Sequence, residues 1–497
     1  MLTLDWLLEQ TTEDTEVIIR SHGPPLSAGE LRAAVGAQAQ ALASRLAGSA
    51  RSVVAVAQSD PARQLLSLLA ASEAGAVPMP LDARAPLESL IAQCTRAGAT
   101  LLIRDEDDLG FPEPASGPAP NIGLLLATSG SSGAPRAVAL RSAGLRANVE
   151  AILGYLPVRR HGRTAVVLPF VSGYAVVGQA FTTLRAGGCL LLAAGLTWPA
   201  AQLDFLTALE ADGLSSVPTS LRLLAGVALD RAPADRPPFR YVASAGAPLD
   251  PETAALVQRA FPAATLFNQY GLTEASPRVT AVSSDDPAFA AGSVGRALPG
   301  ITLSVRRTDG TPCDLDELGE IHVRGPSNMA GYVGDPDASD AALTAEGGLR
   351  TGDIGRLDAS GALFVCGRND DLVKVAGERV SLAAVSTLLM RAPGVDAAFT
   401  CGVADPRTGT RLVAFVASSL PPETLLPALR RFARSMLSPA ARPTRWIHCA
   451  ALPHLLGGKI DRRTLQAWAE ASAPEPSIGS DAGPTSTPPD GRRRESP

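Results

Sequence analysis

Aromatic side chains are scarce, 4% of 497 residues, so aliphatic Ala, Leu and Val must fill whatever core the chain builds. Charge of one sign is lacking too: 44 Lys+Arg stand against 49 Asp+Glu, a formal net charge of −5. That balance excludes a nucleic-acid binder working through bulk charge. Cysteines are few and scattered (Cys94, Cys189, Cys313, Cys366, Cys401, Cys449), with no C-x-x-C pair and no His at ligand spacing, so neither a disulfide framework nor a zinc site is indicated. Long apolar runs are missing. Thr164–Val171 and Cys189–Leu196 stop short of the roughly 20 residues a membrane helix needs, and no membrane insertion is expected. The opening MLTLDWLLEQTTEDTE is acidic and has no basic stretch followed by an apolar core, so the chain is expected to remain cytoplasmic.

What is present is ample length, enough for about three or four domains at roughly 100–200 residues each, and 46 Gly with 41 Pro to make many turns. LSAGELRAAVGAQAQALASRLA reads as an amphipathic helix behind a Ser cap, RSVVAVAQ as a buried strand, PARQLLSLLAASEAG as a helix and AVPMPLD as a second strand. Helices alternating with short continuous apolar strands predict a parallel sheet covered on both faces, so the first two thirds read as α/β. From Ser293 to Gly367 short strands separated by Gly, Pro and Asp turns predict a β-rich subdomain. The expected fold class is therefore α/β: a large N-terminal body over residues 1–367, a short link at 368–371, a small α+β domain over 372–470 and a disordered Pro/Gly/Ser/Thr tail over 471–497.

Five segments carry candidate chemistry. In NIGLLLATSGSSGAPRAVAL (121–140) a strand runs into a Gly/Ser/Thr loop able to aim several backbone N–H groups and hydroxyls at an anion, with a phosphate chain as the natural guest. The P-loop spacing is absent. FNQYGLTEASP (267–277) offers a flat Tyr270 face, the Thr273 hydroxyl and the Glu274 carboxylate, a hard ligand suited to Mg²⁺. LRTGDIGRLDASG (349–361) puts Asp353 in a Gly-flanked turn where a carboxylate can accept both hydroxyls of a ribose. CGRNDDLVKVAGERVS (366–381) and HLLGGKIDRRTL (454–465) contribute Arg368, Asp370, Lys374, Gly377, Arg379 and Lys459. Taken singly, each segment is more readily an ordinary polar turn or a solvated surface Lys.

In this order they resemble the adenylate-forming superfamily, which includes acyl-CoA synthetases, aryl-acid ligases, luciferases and the adenylation domains of nonribosomal peptide synthetases. TSGSSGAPR, VASAGAPLD, NQYGLTE, SVGRALPG, LGEIHVRGPSNMAGYVGDP, RTGDIG, GRNDDLVKVAGERV and GGKIDR follow that family's motifs in sequence, over about residues 10–470. The resemblance implies that Thr128, Ser129, Gly130, Ser131, Ser132, Gly133 and Arg136 form the loop over the β- and γ-phosphates of ATP. It implies that Tyr270 stacks on adenine with Gly246 and Ala247 opposite, with Asn268 and Gly271 beside them; Thr273 would hold the α-phosphate and Glu274 the magnesium. Asp353 and Arg368 would be ribose ligands, Asp370 the hinge, and Lys459 the cation bridging the substrate carboxylate and the α-phosphate. The thiol path would run past Lys374, Gly377 and Arg379.

The implied reaction joins a small carboxylic acid to ATP, giving acyl-AMP and pyrophosphate. It then passes the acyl or aryl group to the thiol of CoA or of a carrier protein's phosphopantetheine, in specialised metabolism. The rival readings are transfer to an amine or other non-thiol nucleophile, and a degenerate nucleotide-binding protein. The sequence departs from the family pattern at Arg136, where Lys is usual, at Ala137, where Gly is usual, and at Ala127, where an aromatic is usual. The substrate pocket is expected around Val171, Ser172, Tyr174 and Ala245. Val171 stands where amino-acid-activating relatives carry Asp, which disfavours an ordinary α-amino acid, because a buried ammonium without a carboxylate costs several kcal/mol. With Ser172 the pocket is expected to be neutral and fairly small.

Overall fold

A computed structural model describes residues 3–20, 23–46, 52–112, 118–128, 136–193, 196, 198–290, 292–368, 371–406, 408–453 and 460–471. The chain divides into two units, Met1–Cys366 and Gly367–Pro497.

In the first unit the continuous apolar strands pair as their composition requires. Glu16–Arg20, Cys189–Leu192, Arg163–Val166, Gly213–Ser216, Tyr241–Ser244 and Thr265–Tyr270 form a parallel run, extended by antiparallel edge strands to nine. Its faces are covered by helices such as Ser142–Leu153 and Pro218–Leu229, whose Leu, Val and Ala residues fill the core. A second sheet centres on Val53–Ala57, flanked in parallel by Val77–Pro80 and Ala99–Arg104. The helix feeding it, Ala28–Arg45, begins at the expected cap: the Ser27 hydroxyl accepts from the Glu30 amide while the Glu30 carboxylate accepts from the Ser27 amide at 2.8 Å. The segment rich in Gly and Asp turns becomes a four-stranded sheet, Thr302–Arg306, Gly319–Arg324, Gly348–Leu357 and Leu363–Arg368, antiparallel where its pairing is described.

The second unit pairs the strands Ala397–Asp405, Gly409–Ala417 and Arg445–Cys449, with helices Leu382–Leu389, Pro422–Met436 and Arg462–Ala471 contributing to its cores. It also carries the hairpin Leu372–Val375 with Glu378–Ser381. Among the described residues no helix is long and apolar enough to cross a membrane.

Candidate functional site

In an open parallel sheet, side chains and backbone amides converge where the strands end at their carboxyl side, so ligands collect there. Two strands of the large sheet end in segments singled out from sequence. Tyr241–Ser244 runs into Ala245, Gly246 and Ala247, and Thr265–Tyr270 runs into Gly271, Thr273 and Glu274. Gly246 turns at φ +85°, and Gly246 and Ala247 are exposed whereas Ala245 is buried. Gly271 is demanded by space: a Cβ there would lie 1.8 Å from the Pro277 carbonyl oxygen. That close approach folds the chain back after the short 3₁₀ turn Thr273–Ala275.

Tyr270 and Asp353 meet. The Tyr270 hydroxyl donates to the Asp353 carboxylate at 2.5 Å, joining the large sheet to the β-rich one across 83 residues of sequence. Asp353 is aimed by its own turn: its amide donates to the Thr351 hydroxyl at 3.0 Å, and that hydroxyl donates to the Ile321 carbonyl at 2.8 Å. A hydrogen bond to a charged group contributes about 1.5–3 kcal/mol, enough to hold the Tyr270 ring at a fixed tilt.

Glu274 is held at one oxygen only. Oε1 accepts from the Tyr332 hydroxyl at 2.9 Å, the Glu274 carbonyl accepts from the Met329 amide at 2.7 Å, and Oε2 has no partner among the described residues. No group of three or more His, Cys, Asp or Glu able to hold a metal occurs among the described residues. A site with one available carboxylate suits Mg²⁺, which binds through one or two carboxylates plus substrate phosphates and keeps several waters.

Arg136 sits at the start of a strand paired with Ile122–Thr128, and the Thr128 hydroxyl donates to its carbonyl at 3.4 Å. Its guanidinium lies 5.4 Å from the Tyr332 ring centroid and pairs with Asp335 at 3.0 Å. Both groups of that pair are more than a third exposed, so it contributes ~1 kcal/mol at most and leaves the cation exchangeable toward a phosphate. Asn268 is buried and its amide nitrogen donates to the Ser293 carbonyl at 3.0 Å, which turns this side chain to holding the neighbouring loop. Val171 is half-buried and Ser172 is exposed, its hydroxyl capping the turn by accepting from the Ala175 amide at 3.2 Å. Tyr174 donates to the Ala243 and Ser216 carbonyls at 3.2 and 3.4 Å, and burial pushes its pKa up to about 12.

In the second unit Lys374 is exposed and pairs in register with Arg379 across a hairpin turn made by Ala376 at φ +49° and Gly377 at φ +88°. Nothing lies within 4 Å of a Cβ built at Gly377, so the backbone there is open to a slender ligand. Arg368 is exposed at the end of its strand. Ser129, Gly130, Ser131, Ser132, Gly133, Asp370 and Lys459 lie outside the described residues.

Sequence reasoning missed Tyr332, Asp335 and Arg278. The first two lie in GYVGDP, a motif noted only as a string. Arg278 is the sharper omission: four residues after Glu274, it is a cation in a stretch that runs directly into the buried strand Thr280–Ser283. It is a buried guanidinium lying 4.5 Å from the ring centroid of Tyr174, one of the residues expected to line a neutral substrate pocket.

Residues 104–333 match the AMP-binding enzyme family and residues 384–459 the AMP-binding enzyme C-terminal domain. The chain is 29% identical to novobiocin biosynthesis protein H of Streptomyces niveus over 95% of this chain and 84% of that protein. It is 31% identical to a sulfoacetate–CoA ligase of Cupriavidus necator over 69% of this chain and 66% of that ligase. Among solved structures, ATP-bound MatB from Rhodopseudomonas palustris superposes with a TM-score of 0.82 at 22% identity, covering 94% of this chain and 98% of that one, a likeness of fold.

Proposed function

Because the chain belongs to the AMP-binding enzyme family, we propose that it is an ATP-dependent ligase that adenylates a small carboxylic acid and then transfers the acyl or aryl group to a thiol, that of CoA or of a carrier protein. A carboxylate oxygen attacks the α-phosphorus of ATP, the bond to pyrophosphate breaks, and acyl-AMP forms. A thiol, losing its proton, then attacks the acyl carbonyl and AMP leaves.

The observation that carries this reading is the Tyr270–Asp353 pair at the carboxyl ends of the large sheet, with Thr273 and Glu274 in the same turn. The Tyr270 ring supports stacking on adenine and Asp353 supports holding the ribose. Mg²⁺ when bound supplies positive charge that offsets repulsion between the carboxylate and the phosphates. Glu274 through Oε2 would hold it, while Thr273 holds the α-phosphate. Arg136, released from Asp335, and the loop Thr128 to Gly133 would bind the β- and γ-phosphates. Lys459 would bridge the attacking carboxylate and the α-phosphate. Asp370 would serve as the hinge that exchanges Lys459 for the face bearing Lys374, Gly377 and Arg379, where the pantetheine arm approaches. Arg368 and Gly246 would complete the nucleoside pocket with Ala247.

The relatives are named for acids as different as sulfoacetate, ferulate and oxalate, so acid identity belongs to the pocket rather than to the family. The test is Lys459→Ala: acid-dependent pyrophosphate exchange should fall by at least about 10²-fold, ~2.7 kcal/mol in the barrier, while equilibrium ATP binding stays within threefold. Unchanged exchange would remove Lys459 from the adenylation step.

A further inference from the structure

Arg278 is 2% exposed, yet among the described residues no carboxylate pairs with it. Its Nε is buried without a hydrogen-bond partner. Its surroundings are neutral: the Tyr174 ring, with its centroid 4.5 Å from the guanidinium carbon, and the Tyr155 and Tyr174 hydroxyls, whose ionised forms the cation favours against the larger effect of burial. Tyr155 in turn accepts from the Gln269 amide nitrogen at 2.7 Å, and the Gln269 carbonyl oxygen is a second buried polar atom without a partner. A cation taken out of water with only rings and hydroxyls around it is costly to fold around. An interior that keeps one without a counter-ion is suited to receive the counter-ion from a ligand.

The place of this cation in the fold says which ligand. Arg278 follows the Thr273–Glu274 turn closely, and the Pro277–Arg278 segment packs on the helical turns Gly173–Ala175 and Val176–Phe181. A Cβ at Gly173 would lie 3.1 Å from the Pro277 Cβ, and one at Gly178 would lie 3.1 Å from an Arg278 guanidinium nitrogen and 3.4 Å from the Tyr174 ring. Gly178 lies in the π-helical turn Val176–Phe181, a form common beside functional sites, and the absence of a side chain at that position lets the guanidinium reach the turn. Arg278 thus stands between the Thr273–Glu274 turn and Tyr174, one of the residues expected to line the acid pocket.

We infer that Arg278 reads a second anionic group on the acid, a carboxylate or sulfonate remote from the carboxylate that is adenylated, so that the substrate class is small acids bearing two acidic groups. This rests on the adenylating function proposed above. The planar guanidinium suits either oxyacid group, binding two oxygens side by side, and an uncharged methyl or ring edge at the same position would leave the cation unpaired.

The experiment measures acid-dependent pyrophosphate release with paired acids that differ by one remote acidic group: succinate against butyrate, phthalate against benzoate, sulfoacetate against propionate. The wild-type protein should show a kcat/KM at least tenfold higher for the doubly acidic member of at least one pair. Arg278→Met should reverse or erase that ratio, lowering the doubly acidic acid while sparing or raising its partner, and Arg278→Lys should restore part of the preference. Equal loss on both members in Arg278→Met, with an unfolding temperature near the wild-type value, would overturn the inference. Turnover of the singly acidic members alone would overturn it too while leaving the adenylating function standing. Pyrophosphate release with no acid at all across the panel would overturn both.

Discussion

At the residue scale the candidate site's side chains are positioned by named hydrogen-bond and ion-pair partners. Glu274 is the clearest case, with Oε1 tied to Tyr332 and Oε2 without a partner among the described residues. Glu274→Gln keeps the Tyr332 bond and removes the charge, so acid-dependent pyrophosphate exchange should drop by about 10²-fold, ~2.7 kcal/mol, and raising Mg²⁺ should recover part of it; an exchange rate within threefold of wild type would count against the metal-holding role. The cysteines make a second prediction. Burial pushes the thiols of Cys94, Cys189 and Cys401 up to about 12, and raises those of Cys313, Cys366 and Cys449 as well. At pH 8 the first three are almost wholly protonated and shielded, and the thiolate is the reactive form. Mass spectrometry after alkylation of the native protein should find Cys94, Cys189 and Cys401 unmodified, and all six modified once guanidinium unfolds it.

At the scale of elements, the turn after Thr265–Tyr270 does most to set the geometry. Its Gly271 lies against the Pro277 carbonyl so closely that any side chain must move backbone. Gly271→Ala should therefore destabilise the protein by about 1–3 kcal/mol, the usual range for forced overpacking, and should raise the KM for ATP because Tyr270 and Thr273 flank the position. Thermal unfolding together with ATP-dependence of exchange checks both halves. The motif around this turn was legible in the sequence because the turn is one contiguous stretch of backbone, written in Gly, Tyr, Thr and Glu. The capping box at Ser27 and the strands at Val53–Ala57 and Val77–Pro80 were legible for the same reason, since their determinants lie within a few residues. Asn268 was not: its burial against the Ser293 carbonyl comes from a segment 25 residues away.

For the whole molecule, the chain divides into two units at Cys366–Gly367. Asp371, next to Asp370, pairs with Arg462 of the same unit at 2.7 Å, so rotation about Asp370 would carry this pair along. Asp370→Pro restricts φ to about −65° and removes a donor. Adenylation measured by pyrophosphate exchange should stay within about threefold of wild type, while thioester formation should fall at least tenfold; thioester made at the wild-type rate would count against a hinge at this position.

By itself the sequence determined the family and the order of its motifs and nominated the groups proposed to face ATP, because these are encoded in short strings whose chemistry is local. Only the tertiary structure decided how those groups are paired. Tyr270 meets Asp353 across 83 residues, Glu274 meets Tyr332 across 58, and Arg136 meets Asp335 across 199. It also brought a buried cation, Arg278, against Tyr174, where a neutral pocket was expected. Whether an arginine is solvated surface or a buried cation awaiting an anion depends on which helices and strands close over it, and Arg278 is covered by a turn roughly 100 residues earlier in the chain. Burial is a property of packing between distant segments, and it is burial that converts an ordinary arginine into a selector of charge.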